Sequence, residues 1–480
     1  MKALSPVLKQ TLLYGSSMAL MKGISLLMLP FITHQLPQAE FGKLEIISSI
    51  AALGSILVGL GLEDALYRFV GRCREEKERL TMAARIFTLT LMVCSLVMPV
   101  AWFATDLIGS DLPGGLTAYQ LKLVLIMLAL EGCIAVPLGW IRMQNRVMTF
   151  FCVAVGRAGF HAALTIAMLL AGRGVDGVLE AGVIAAVVQA AILSVIQIRE
   201  TGIAFSSPVA KQSLVYSLPI MASGLMAFTL NGLDRWVLAE VSTLEDVAQF
   251  GVAAKFGLAV VLLLQPFGMW WMPKRFDVLY DVNGRERAAR FTCYGIVAVM
   301  LIAVFVAFAA PIIIGLMLPG TYQLAAAFTV FLIIAALFKE MAELVNLGSF
   351  AGDTTYAQMG NNAVSAILAV STLWWWGNSY GVYGVLLALV FTQGVRFLLF
   401  YLVSQYLYRL PYPVGALTLC AVFCLFWLYV ANHDWSILEG IGLMIAALIS
   451  TAFVAQKQGL LPEIALLVNR RQIARAKPFN

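Results

Sequence analysis

Fourteen stretches of this chain are apolar over roughly 20 residues, the length a helix needs to cross a hydrocarbon layer about 30 Å thick. They run approximately from Thr11 to Thr33, Leu44 to Tyr67, Ala83 to Phe103, Tyr119 to Ile141, Phe150 to Ala171, Val178 to Ile198 and Leu214 to Leu238. The second seven run from Gly251 to Met272, Phe291 to Leu316, Ala325 to Leu347, Tyr356 to Trp376, Val382 to Tyr406, Tyr412 to Ala431 and Trp435 to Val454. With 61% hydrophobic and only 12% charged residues, the chain has too little polar surface to cover itself in water. The fold class is therefore all-α and integral to a membrane. The first stretch follows Lys2 and Lys9 but contains Lys22 and lacks a small-residue cleavage pattern, so it is read as a retained helix and not a signal peptide.

The basic residues fix the orientation. With the N-terminus inside, 23 of the 32 Lys and Arg residues fall in cytoplasmic segments, among them Arg68 to Arg85, Lys274 to Arg290 and Lys457 to Lys477. The opposite loops hold Lys43 and Arg173 alone. This is the asymmetry expected of a multi-pass protein with both termini in the cytoplasm. The net charge of +6 is thus a topology signal and not a mark of nucleic-acid binding. The longest outer loop, Ala104 to Ala118, has no room for a catalytic domain. Seven cysteines lie in apolar helices or on the cytoplasmic side and read as packing residues, not as disulfides or metal ligands.

The chain also repeats itself at an offset of just over two hundred residues. Leu12-Leu13-Tyr14 is matched by Leu214-Val215-Tyr216, and Ala39-Glu40-Phe41-Gly42 by Ala248-Gln249-Phe250-Gly251. Gly174-Val175-Asp176-Gly177-Val178-Leu179 is matched by Gly381-Val382-Tyr383-Gly384-Val385-Leu386. Six crossings per repeat give two six-helix lobes of like orientation, an arrangement transporters use to rock one half against the other. The expected division is residues 1–204 for the first lobe, 205–409 for the second, 410–456 for a C-terminal helix pair and 457–480 for a basic cytoplasmic tail that anionic lipid would attract.

Ionisable residues within the spans carry the functional information, because each costs roughly 2.5–3.5 kcal/mol at the bilayer centre unless a cavity or a partner receives it. They are Lys22, Glu131, Arg157, His161, Asp234, Arg235, Lys255, Lys339, Glu340, Glu343 and Arg396. Glu131 and Arg157 lie at equal depth, as do Asp234 and Lys255, and either pair reads as a structural ion pair or as part of a site. Lys339 and Glu343, four apart, read as neighbours on one helical face. Lys22 and Arg396 have no acid at their depth in the adjoining helix, and unpaired cations facing a central cavity suit an anionic substrate.

Tyr216-Ser217-Leu218-Pro219, Asn231-Gly232-Leu233-Asp234-Arg235 and Phe250-Gly251-Val252-Ala253-Ala254-Lys255 resemble the seventh and eighth helices of polysaccharide exporters. Those exporters belong to the multidrug/oligosaccharidyl-lipid/polysaccharide superfamily. Leu36-Pro37-Gln38-Ala39-Glu40-Phe41-Gly42 and Gly61-Leu62-Glu63-Asp64-Ala65-Leu66-Tyr67-Arg68 are similar to the matching earlier segments. The resemblance implies a flippase and not an enzyme, one that carries undecaprenyl-diphosphate-linked oligosaccharide across the bacterial plasma membrane for O-antigen or exopolysaccharide synthesis. It implies a cationic cavity, here Lys22, Arg157, Arg235, Lys255, Lys339 and Arg396, with Glu131, Asp234 and Glu343 as coupling or ion-pair groups. No cofactor is implied; coupling would come from protons, sodium or the membrane potential. Related lipid II flippases hold sodium in the second lobe, where Asp234 and Thr392 fit but helix eleven offers Asn361 and Asn362 without an acid. The expected partners are the lipid-linked oligosaccharide, membrane lipid, and polysaccharide polymerase and chain-length proteins. A multidrug cation antiporter of the same superfamily and a membrane-bound polymerase or glycosyltransferase are the alternatives.

Overall fold

The computed structural model describes residues 6–108, 114–350 and 356–461, and the basic tail expected at 457–480 lies mostly outside them. Among the described residues every regular element is helical. In order these are α1 (Pro6–Gln35), α2 (Gln38–Gly59), α3 (Leu62–Arg72), α4 (Glu76–Ile108), α5 (Ala118–Ala129), α6 (Glu131–Met143), α7 (Val147–Leu170) and α8 (Gly174–Thr201). There follow α9 (Ser207–Asn231), α10 (Leu233–Val241), α11 (Leu244–Trp271), α12 (Arg275–Leu279), α13 (Gly284–Met317), α14 (Gln323–Val345), α15 (Tyr356–Leu407), α16 (Val414–Ala431) and α17 (Ile437–Lys457).

Twelve helical segments among the described residues are long and apolar enough to cross a membrane. One of them, α15, carries two of the predicted spans through a break at Gly381, whose φ of 59° only glycine adopts without strain. Predicted span one coincides with the 30-residue α1. Leu27, Leu96, Ile367 and Ile449 stand exposed on helix faces, a surface that hydrocarbon accommodates and water does not. The chain is a multi-pass membrane protein.

Three predicted spans are interrupted. Span two divides into α2 and α3 at Leu60 and Gly61, both at positive φ. Span seven divides into α9 and α10 at Gly232, and span four into α5 and α6 at Leu130. Backbone groups at a break must be satisfied internally in a membrane, and α2 and α9 each bring a serine hydroxyl to the other's break. Ser217 Oγ of α9 donates to the Gly61 carbonyl at 3.1 Å, and Ser49 Oγ of α2 donates to the Gly232 carbonyl at 2.6 Å. Arg68 stacks over the Tyr216 ring at 4.2 Å beside the first of these contacts.

The chain forms two compact units, Met1–Ala248 and Gln249–Asn480. The boundary falls in the first turns of α11, so α9, which packs on α2, α3 and α4, lies in the first unit. In that unit, Leu66, Phe87 and Trp140 centre one apolar cluster, and Ile141, Ala186 and Leu193 another. The second unit is built on α13, whose Ala303, Val304, Ala307 and Ala310 are fully buried against α14, α16 and α17. The predicted C-terminal pair is therefore docked on α13 and not a loose appendix.

Small residues let these helices approach closely. A Cβ on Gly42 would lie 2.0 Å from the Leu244 carbonyl oxygen, whereas one on Gly59 would meet nothing within 4 Å. Gly42→Ala is expected to lower stability by about 1–3 kcal/mol, the usual cost of overpacking, and Gly59→Ala to leave it nearly unchanged. Thermal unfolding of the detergent-purified protein, followed by tryptophan fluorescence, distinguishes the two; equal midpoints would mean that α2 does not pack as described.

Candidate functional site: two buried polar clusters

In the first unit, α7 places Arg157, His161 and Thr165 on one face at intervals of four residues, which brings them to the same side of the helix. They line a cavity of about 360 Å³ whose opposite wall is α1, through Met21, Ile24, Ser25, Met28 and Ile32. Glu131, at the start of α6, hydrogen-bonds Ser55 and lies within electrostatic reach of Arg157, but the two make no ion-pair contact. The predicted Glu131–Arg157 salt bridge is therefore open. Lys22 sits on α1, displaced around the helix from the cavity-lining residues, and is exposed with no ionic partner among the described residues.

A second group in this unit joins α2 to α10. Arg235 Nε lies 3.2 Å from a Glu45 oxygen, and its terminal nitrogen 3.3 Å from Asp234. Arg235 is thus enclosed between two carboxylates and is not a bare cation. Glu45 was missed in the sequence because it lies near the start of an apolar span, where an acid reads as an interfacial residue. Only the fold shows it to be 4% exposed and opposite Arg235.

The second unit holds the other cluster, between α14 and the second half of α15. Arg396 donates to Glu343 at 2.6 Å. The other Glu343 oxygen accepts from Asn346 at 3.1 Å, and Asn346 accepts from Arg275 at 3.4 Å. Arg396 is therefore not the unpaired cation expected from its hairpin, since its partner comes from α14. Glu343 faces Arg396 and Asn346, while Lys339 is most strongly coupled to its neighbour Glu340. Thr372 and Thr392 hydroxyls meet at 3.2 Å. In the same unit the Asn361 amide nitrogen, the Gln393 amide oxygen and the Arg396 Nε are buried without partners among the described residues. Lys255 is half-buried on α11. No group of three His, Cys, Asp or Glu side chains among the described residues is placed to hold a metal ion.

Arg396 and Gln189, matched in the repeat, are both buried, at 7% and 4% exposure in their respective units. The repeat thus places a polar side chain at equivalent positions of α8 and α15. Arg275 escaped notice in the sequence because it follows Lys274 in a basic loop, and nothing in that loop distinguishes the residue that turns back toward Asn346.

The family model described as polysaccharide biosynthesis protein matches residues 7–276 of this sequence. The chain belongs to the polysaccharide biosynthesis protein family. The match takes in the whole α1/α7 cavity and the Glu45–Arg235–Asp234 group, while Glu343 and Arg396 lie beyond it. No curated protein matches the chain. Among solved structures, this polysaccharide biosynthesis protein is similar in fold to the lipid II flippase MurJ in an inward closed conformation, with a TM-score of 0.71 at 13% identity. That likeness covers 94% of this chain and 99% of that one. An outward-facing multidrug resistance MATE family transporter of the MOP superfamily gives 0.53 at 15% identity, covering 85% and 96%. A Vibrio cholerae MATE transporter in its bent form gives 0.51 at 16%, covering 84% and 97%. At these identities the likeness is one of fold: the polysaccharide biosynthesis protein shares the helical architecture of these three structures.

Proposed function

We propose that this chain is a flippase that carries an undecaprenyl-diphosphate-linked oligosaccharide from the inner to the outer face of a bacterial plasma membrane, for O-antigen or exopolysaccharide synthesis. The observation that carries the proposal is cationic. Within the membrane-spanning part of the first unit, Lys22 has no ionic partner among the described residues, and Arg157 lines an open cavity without an ion-pair contact. Sugar hydroxyls and a diphosphate cannot enter hydrocarbon without a replacement for their lost hydration, and buried polar side chains of this kind supply one. Family membership in polysaccharide biosynthesis and the fold of a lipid II flippase support the same reading.

In this proposal the cargo's polyprenyl tail stays in lipid while the polar head passes through the protein by alternating access. An inside-negative potential drives a net negative cargo outward, by roughly 2.3 kcal/mol per charge per 100 mV. Glu131, Asp234 and Glu343 are the groups through which proton coupling would act, with sodium or the membrane potential as the alternative drivers. Polymerase and chain-length proteins would receive the product at the outer face, and both termini would be cytoplasmic.

Deleting the gene is expected to trap lipid-linked oligosaccharide on the inner face, measured by its inaccessibility to an externally added glycosidase. Accumulation of single repeat units on the outer face would instead identify a polymerase. The MATE likeness favours a second reading, a multidrug cation antiporter. Restored drug resistance in an efflux-deficient strain, with polysaccharide unchanged, would establish that reading in place of the first.

A further inference from the structure

In the second unit, at the end of α13 away from the basic α12 loop, lies a cavity that takes no part in the cationic route. The distribution of Lys and Arg assigns this end to the outer face. The cavity measures about 460 Å³, within the usual range of small-ligand sites. α13 gives it an apolar wall through Phe308, Pro311, Ile312 and Ile314. Gly315 belongs to the same wall, and an added Cβ there would meet nothing within 4 Å. The polar lining comes from Gln323 of α14 and from His433, Asp434 and Trp435 in the turn between α16 and α17.

That turn is fixed by its own hydrogen bonds. Trp435 Nε1 donates to the Val430 carbonyl at 2.8 Å, and His433 Nδ1 lies 3.2 Å from the Tyr429 carbonyl, so two of the last carbonyls of α16 are met by rings of the turn. A carbonyl can only accept, so Nδ1 carries the proton and Nε2 of the neutral ring is left as an acceptor. Ser436 and Glu439 close a capping box at the start of α17. On the other side, Gln249 accepts from the Ala325 amide at 2.8 Å and donates to the Thr321 carbonyl at 2.5 Å, which holds the stretch that bears Gln323. These bonds leave over the Trp435 ring, 44% exposed, the His433 Nε2, the Gln323 carboxamide and the Asp434 carboxylate, the last two with no partner among the described residues.

The lining selects its ligand. It holds a carboxylate and no Lys or Arg, so it repels a phosphoryl group. An ammonium would engage Asp434 and Trp435 and leave Gln323 and His433 idle. A pyranose engages all four. Its C–H face packs on an aromatic ring and on the apolar wall, and its hydroxyls, each donor and acceptor, match a carboxylate and an imidazole nitrogen that accept and a carboxamide that does both. We propose that this cavity is a saccharide site for neutral sugar residues at the outer end of the second unit. Because its polar groups are already held in place, little ordering opposes binding. That the sugars are the cargo's own rests on the export reading, on which the site receives the oligosaccharide at the outer face and opposes its return; the site itself rests on the cavity and its lining.

The test uses the purified full chain in nanodiscs, titrated with the methyl glycosides of glucose, galactose and mannose and read by ligand-observed NMR. The wild type should bind at least one of them saturably. Trp435→Ala and Asp434→Ala should each weaken that binding by about tenfold or more. Gly315→Leu, which fills the open wall and leaves the polar lining intact, should do the same. Trp435→Phe keeps an aromatic ring and should retain most of the binding, which separates a lost sugar contact from misfolding. Failure of every glycoside to saturate the wild type, or unchanged binding in either Trp435→Ala or Gly315→Leu, overturns the proposal; saturation by ethanolamine in place of the glycosides overturns it in favour of an ammonium site. Displacement of the bound glycoside by the repeat-unit oligosaccharide, freed of its lipid diphosphate by mild acid, supports the cargo assignment. If Trp435→Ala abolishes glycoside binding but leaves surface polysaccharide normal, the export role of the site fails while the sugar site stands.

Discussion

Changing Glu343 to glutamine is expected to lower the yield of folded protein sharply, and replacing both charges, Glu343→Leu with Arg396→Met, is expected to restore it. Arg396 is 7% exposed and its charge is met by Glu343 at 2.6 Å. Removing only the carboxylate strands a guanidinium in a medium of low dielectric, and breaking such a pair costs about 3–5 kcal/mol. Replacing both charges with apolar groups removes the desolvation cost together with the attraction, so stability returns. Export separates a structural pair from a working one. If Arg396 and Glu343 serve only the fold, Glu343→Leu combined with Arg396→Met regains surface polysaccharide along with its thermal midpoint. We expect the midpoint to recover and export to stay below about a tenth of wild type, because Asn346, which bonds Glu343, and Arg275, which bonds Asn346, lose their anchor with the pair. Thermal unfolding of purified protein and surface polysaccharide staining give the two readouts, and recovery of both would reduce the cluster to packing.

Hydropathy and the repeat foretold the spans closely because each requires only a long apolar run, and the bilayer enforces that length on every one. The breaks were not foretold. Gly61 and Gly232 lie within apolar sequence like many other glycines of the chain. What sets them apart is a hydroxyl from a distant helix: Ser217 donates to the Gly61 carbonyl, which also accepts from Ala65, and Ser49 donates to the Gly232 carbonyl. Pairing of charges failed in a similar way. Depth along a hairpin is a one-dimensional criterion, and it left Arg396 without an acid and Glu45 unremarked. Rotation of α14 against α15 instead turned Glu343 toward Arg396, and the approach of α2 to α10 brought Glu45 to Arg235. The cysteines give a smaller instance. Cys94 on α4 and Cys133 on α6 hydrogen-bond one another, a contact between helices that no spacing in the sequence foreshadows.

Lys22 should behave in the opposite way to Arg396. Its side chain is exposed and has no ionic partner among the described residues, so Lys22→Ala removes no buried contact and should leave the thermal midpoint of purified protein within about 1 °C of wild type, as surface changes away from special features generally do. Its effect on export should nevertheless be large. A lysine at this depth of α1 bears an insertion cost of roughly 2.5–3.5 kcal/mol that no internal carboxylate offsets, and a chain whose cargo carries a diphosphate recovers that cost when the cargo binds. Loss of the charge should therefore reduce surface polysaccharide by at least about tenfold at unchanged protein level, and Lys22→Arg should retain most of it, because the requirement is for a cation and not for an ammonium. A snorkelling lysine predicts something else: Lys22→Ala would then be silent or mildly beneficial to insertion, since the ammonium would be spending its charge on lipid phosphates and not on cargo. Equal export by wild type and Lys22→Ala would take Lys22 out of the translocation route and leave Arg157 to meet the cargo in the first unit.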